Sequence, residues 1–139
     1  MTFRAFIDGA ARGNPGPAGA GVYVEASEGR PAEEHFRALG RATNNVAEYT
    51  ALLVALEVAE ARGAREVEIL SDSLLLVEQL RGRFKVKAEH LKPLFAEAIV
   101  RAKRFRTFSI RHVRREKNLD ADRLANLGAD ASESAAPSP

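Results

Sequence analysis

The sequence predicts an α/β domain built on a five-stranded mixed sheet, three strands antiparallel and two parallel, with helices on both faces. Three observations lead there. The first forty residues carry three alternating apolar segments joined by short, turn-rich connections, the pattern of antiparallel hairpins. After them, helix-like and strand-like periodicities alternate, which in one sheet makes the later strands parallel. The 139 residues, 45% of them hydrophobic, suffice for one core, and neither an internal repeat nor a linker interrupts them.

Residues 2–8 (TFRAFID) place Phe3, Ala5 and Ile7 on one side and read as a strand ending at Asp8. Residues 9–18 hold Gly, Pro and Asn and read as a loop. Residues 19–26 (AGAGVYVE) and 33–39 (EEHFRAL) are the second and third strands. Over 44–62, Ala47, Ala51, Val54, Ala55 and Val58 recur at helical spacing, Leu52, Leu53 and Leu56 widen the apolar face, and Arg62-Gly63 supplies a stop. Residues 66–70 (EVEIL) form a short strand. A helix follows from Asp72 to about Leu80, with Ser71 or Asp72 as its N-cap and Gly82 at its end. Residues 88–104 read as a further helix with a kink or boundary near Pro93. Residues 105–113 (FRTFSIRHV) are the fifth strand and 119–130 the last helix. The domain is expected to span 1–130, and 131–139 (ASESAAPSP), small, polar and Pro-rich, to be a disordered tail.

Composition narrows the chemistry. With no Cys, disulfides and thiolate metal sites are excluded, and any metal must sit on carboxylates and His, which favours hard cations such as magnesium or manganese. No apolar run is long enough to span a membrane, and the N-terminus enters a strand-like pattern without a signal peptide, so the expected location is cytoplasmic, with no membrane partner. The net charge of +2 is unevenly spread: residues 81–117 hold 13 of the 21 basic residues and only Glu89, Glu97 and Glu116 among the acids. That segment suits a polyanion, although a solvated basic face would look the same.

Four acids stand out by position. Asp8 ends the first strand and Asp72 follows the fourth by two residues. If those strands are parallel neighbours, both carboxylates leave the carboxyl edge of the sheet, where open α/β sheets bind ligands. Glu48 and Asp122 are placed in the first turns of the long and the last helix. Each has an ordinary explanation: Asp8 as a turn residue, Asp72 and Asp120 as N-caps, Glu48 and Asp122 as partners of a helix dipole. Together on one edge they would repel, and divalent cations are the simplest means of offsetting that repulsion. Two cations on shared carboxylates are a device for in-line phosphodiester cleavage.

The stretches DGAARGNPGPAGAG (8–21), ATNNVAEYTALLVAL (42–56), SDSLLLVEQL (71–80) and RHVRREKNLDADRLAN (111–126) resemble type 1 ribonuclease H, in family order and at family spacing. GRFKVKAEHL (82–91) looks like the compact bacterial or archaeal branch. The resemblance implies the ribonuclease H-like fold and an endoribonuclease cutting the RNA strand of RNA–DNA hybrids, leaving 5′-phosphate and 3′-hydroxyl ends. It implies two magnesium ions, with manganese accepted, on Asp8, Glu48, Asp72 and Asp122, and an auxiliary role for His112 in proton transfer or product release. Asn14, Asn44 and Asn45 match positions that contact the minor groove, where amides can read 2′-hydroxyls. Arg41 and Thr43 match positions near a phosphate pocket for the DNA strand. Asn44 could also be a helix N-cap. Leu74 stands where the family often has Gln, which puts one polar substrate contact in doubt, and Phe84, Lys85 and Lys87 could replace part of that surface, although Phe84 could equally be core. The expected partner is an RNA–DNA hybrid, with double-stranded RNA as an open second substrate and protein partners unknown. The alternatives are a non-catalytic hybrid-binding module and another nuclease of the same fold.

Overall fold

The computed structural model describes residues 2–135. The elements are β1 (Thr2–Ala11), β2 (Gly16–Val24), β3 (Glu33–Ala42), α1 (Asn44–Ala61), β4 (Glu66–Ser71), α2 (Leu74–Leu80), α3 (Lys92–Ala102), β5 (Thr107–His112) and α4 (Leu119–Ser134). They form one sheet in the order β3-β2-β1-β4-β5. The β1–β2 and β2–β3 pairs are antiparallel, and β1–β4 and β4–β5 are parallel. This is the mixed sheet the sequence predicts.

The stretch read as a loop is mostly ladder. β1 continues past Asp8 to Ala11, and Asp8, Gly9, Ala10 and Ala11 pair with Gly21, Ala20, Gly19 and Ala18 of β2. The glycines are there for packing. A Cβ on Gly19 would stand 2.3 Å from Ala129 N, and one on Gly21 would stand 2.4 Å from Ala125 N, both on α4. A Cβ on Gly9 would stand 2.4 Å from Glu48 N on α1. Gly9 is opposite Ala20, between Gly19 and Gly21 in β2, so its neighbours point the other way and the two helices cover opposite faces. On the α1 face, Phe3, Ala5, Ile7, Val22, Val67, Ile69 and Ile110 pack under Leu52, Leu56, Leu76, Val77 and Ala98 to form the core.

Boundaries shift where side chains compete for the first backbone N–H groups of a helix. Thr43, not Asn44, caps α1, its hydroxyl accepting from Val46 N. Glu48 therefore lies in the second turn, beyond the dipole position expected of it. Ser73, rather than Ser71 or Asp72, caps α2, and Ser71 Oγ accepts from Ser73 N in the turn before it. The segment 88–104 is divided: a 3-10 turn at Glu89–Leu91 precedes α3, whose first turn holds Pro93, where its missing N–H costs nothing.

The expected tail needs correction. α4 runs to Ser134, because Ser132 has a buried partner on the sheet. Its hydroxyl donates to Ala18 O at 2.6 Å and accepts from Leu39 N and Gly40 N at 3.1 and 3.0 Å. The β2–β3 register shifts at Ala18/Gly19, where Gly40 and Ala38 face consecutive residues. Leu39 is thus the extra residue of a bulge, whose N–H groups lose ladder partners. Residues 136–139 lie outside the described residues. Ser132→Ala leaves those amides without their acceptor and is expected to cost about 2 kcal/mol, lowering Tm by roughly 5 °C; an unchanged thermal unfolding curve would remove this role. Among the described residues, no helix is long and apolar enough to cross a membrane.

Candidate active site

The parallel pairing of β1 with β4 sets Ile7 opposite Ser71. The next residue on each strand, Asp8 and Asp72, therefore leaves the same edge. α1 crosses that edge against Gly9 and brings Glu48 down beside Asp8. Carboxylate oxygens of Asp8, Glu48 and Asp72 all lie within 4.8 Å of one another. Asp122 comes from α4 to line the same cleft, near enough to the Asp8 carboxyl to help raise its pKa, but outside the group of three whose oxygens lie together. Asn118 Nδ2 donates to Ile7 O at 2.9 Å, tying the start of α4 to the strand that carries Asp8.

The cluster is electrostatically costly as it stands. Asp8 is only 6% exposed. Burial, then the Asp72 charge and the contacts with Asp122, pushes its pKa up to about 8. Burial, followed by the Asp8 and Asp72 charges, raises Glu48 well above the usual carboxylate range. For both groups a hydrogen bond from the Gly9 backbone opposes the rise. Glu48 Oε2 is buried without a hydrogen-bond partner. A buried, unpartnered carboxylate oxygen beside two other carboxylates is the coordination environment of a hard divalent cation, and the residues present fit one.

All four acids line one cleft of about 450 Å³, together with Asn44, Arg115 and Asn126. Asn45 faces a neighbouring groove of about 540 Å³ lined also by Phe84, Lys85 and Lys87. The Asn pair thus straddles the boundary between an acidic cleft and a basic groove. Phe84 is 49% exposed, which excludes the core reading. Leu74, 53% exposed at the start of α2, puts an apolar side chain beside the cleft.

Asn14 is committed in part: its Oδ1 accepts from Asn44 N at 3.0 Å, which leaves its NH₂ to donate. Arg41 is exposed, opposite Pro17 at the end of β3 and two residues before the α1 cap. His112 is exposed at the end of β5, in register with Ser71, and is absent from the cleft lining. Arg115 lines the cleft instead, from the 3-10 turn Arg115–Lys117. Arg115 and Asn126 line the cleft although neither is among the site residues the sequence predicts. Asn126 had a legible signal: it lies four residues after Asp122, on the same helical face, and its Nδ2 donates to Asp122 O.

Comparison with known proteins agrees with this geometry. Residues 6–128 match the family model described as reverse transcriptase-like. The chain is 48% identical over 125 residues to "Bifunctional protein Rv2228c" of Mycobacterium tuberculosis, covering 89% of this chain and 34% of that protein. It is 41% identical over 126 residues to "Ribonuclease HI" of Halobacterium salinarum, covering 91% of this chain and 63% of that protein. The chain thus spans only about a third of the length of the mycobacterial relatives. The solved N-terminal RNase H domain of Rv2228c superposes with a TM-score of 0.91 at 45% identity, covering 98% of this chain and 99% of that one. LC11-RNase H1, solved in complex with an RNA/DNA hybrid, superposes with a TM-score of 0.86 at 40% identity, covering 94% and 99%.

Proposed function

The chain belongs to the reverse transcriptase-like family of ribonuclease H domains, and from that premise we propose that it hydrolyses the RNA strand of RNA–DNA hybrids, leaving 5′-phosphate and 3′-hydroxyl ends. The observation that carries this reading is a partly buried, mutually repelling carboxylate cluster beside a basic groove. A neighbouring structure that holds an RNA/DNA hybrid supports the choice of substrate. A cytoplasmic setting goes with it.

Asp8, Glu48, Asp72 and Asp122 would hold two magnesium ions, or manganese in their place. When bound, such cations supply Lewis acidity to the scissile phosphate and the attacking water. The protein's own contribution is positional. Gly9 lets α1 approach closely enough for Glu48 to meet Asp8, and its backbone N–H steadies both carboxylates. Asn14, Asn44 and Asn45 contact the minor groove, where amides can pair with 2′-hydroxyls and so distinguish RNA from DNA by shape rather than by sequence. The Thr43 hydroxyl, accepting from Val46 N, keeps its own proton to donate to a DNA-strand phosphate near Arg41. His112, at the exposed end of β5, assists proton transfer or product release from the margin of the site, so its loss slows turnover far less than loss of Asp8.

The test is a panel of matched duplexes: RNA–DNA hybrid, double-stranded RNA and double-stranded DNA, each with magnesium, manganese or chelator. Metal-dependent cutting confined to the RNA of the hybrid is expected. Additional cutting of double-stranded RNA would widen the substrate class without changing the chemistry. Hybrid binding without cleavage under either metal would overturn the enzyme reading in favour of a binding module.

A further inference from the structure

At the other end of the sheet, where β1 and β4 begin, lies a second hollow of about 450 Å³. Its lining includes Arg30, Arg62, Arg65 and Arg106, with Phe3 on the floor and Glu66 as the one carboxylate. Phe3 and Asp8 stand five residues apart on one strand, so the hollow is roughly 16 Å from the acidic cleft and faces away from it. The four arginines come from four places: the β2–β3 connection, the end of α1, the α1–β4 turn and the α3–β5 turn.

Their pairing is unusual for this protein. Elsewhere most Arg side chains are matched, as in Arg4 with Glu25 and Glu68, or Arg101 and Arg104 with Glu60. Among the described residues, Arg30, Arg65 and Arg106 have no ion-pair partner, although Glu66, which makes an interaction of its own, shares the hollow. Arg62 is different in kind. Its side chain is 10% exposed, paired with Glu33, and its guanidinium lies 5.6 Å from the centre of the Phe3 ring. Its Nε is buried without a hydrogen-bond partner. Glu33 and Phe3 hold Arg62 in place, and the three other guanidinium groups around the hollow, which have no ion-pair partner, mark a place for an acceptor carrying several negative charges.

We propose that this hollow is a second ligand site, which binds a small anion bearing adjacent phosphate groups, such as pyrophosphate or the phosphate tail of a nucleotide. The size suits a ligand of that class. Charge selects among phosphates: one phosphate group carries about −2, too little to match three unpaired guanidinium groups, whereas two or three linked groups are well matched. Planar guanidinium forks suit phosphate oxygens. The location separates this site from hydrolysis, so ligand binding here does not require the acidic cluster.

The experiment is calorimetric titration of the full chain with pyrophosphate, ATP and inorganic phosphate in chelator, comparing wild type, Arg65→Ala/Arg106→Ala and Asp8→Asn. Both substituted arginines are exposed, so the fold is retained. Saturable one-to-one binding of pyrophosphate and ATP is expected with Kd below about 1 mM, and weaker binding of phosphate. The double Arg variant should lose at least about tenfold in affinity while cutting hybrid at the wild-type rate, and Asp8→Asn should bind as wild type does. Binding of pyrophosphate but not of ATP would overturn the extension to nucleotides. Absence of saturable binding, or binding insensitive to the double Arg substitution, would overturn the proposal. So would a double variant that bound hybrid more weakly while pyrophosphate failed to bind, which would make the patch a nucleic-acid surface instead.

Discussion

Asp8→Asn is expected to lower the rate of hybrid cleavage by about 10³-fold or more while leaving hybrid affinity within a few-fold of wild type. Asp8 is the most central of the four acids. It shares a ligand-sized space with Glu48 and Asp72 and a cleft with Asp122, so any cation in the cluster must meet it. An amide keeps the shape and loses the charge, which removes the offset to cation charge at the centre of the site. On the proposed reading, affinity for the duplex rests mainly on phosphate contacts made elsewhere, near Arg41 and in the groove of Lys85 and Lys87. Single-turnover cleavage and equilibrium binding of the same labelled hybrid separate the two effects. A variant retaining a tenth of wild-type cleavage would sink the assignment of Asp8. Equal losses of binding and cleavage would mean that the substitution had disturbed the fold.

The same substitution should stabilise the metal-free protein at pH 9, by several kcal/mol. Asp8 titrates near 8 in the folded chain against a usual value of 3.8. The folded state therefore holds a proton that the unfolded chain releases anywhere between those values. The stability associated with that proton is complete below pH 4 and is lost as pH rises through 8. Glu48 is shifted in the same direction and steepens the loss. The amide of the Asp8→Asn variant has no such proton to lose, so the variant escapes the Asp8 part of it. Thermal unfolding in chelator from pH 5 to pH 9 should show wild-type Tm falling relative to the variant, by roughly 10 °C at the alkaline end. Magnesium should then raise the wild-type Tm and leave the variant nearly unchanged. Parallel Tm curves for the two proteins across that range would contradict the strained cluster.

Much of this protein was legible from local pattern. The alternation of Phe3, Ala5 and Ile7, the apolar spacing of α1 and the EVEIL strand fixed the order of elements, because burial on one face imposes a period that a single segment displays. The acids were legible for a related reason. A single carboxylate at an element boundary has ordinary structural uses, but four of them placed at such boundaries suggested one edge. The resemblance then linked them as a set.

Tertiary structure decided what depends on partners distant in sequence. The glycines of 9–21 looked like turn residues, since glycine serves turns and close packing equally; only α4 lying on Gly19 and Gly21 shows which. Ser132 looked like tail composition until the bulge at Leu39 supplied unpaired amides for it to accept from. His112 and Arg115 are three residues apart, and which of them lines the cleft depends on how the chain turns after β5. Arg30, Arg62, Arg65 and Arg106 form one hollow only because β1 and β4 run parallel and begin at the same edge. Period and composition report what one segment buries. Which residues then converge is set by strand order and helix docking, which no segment carries by itself.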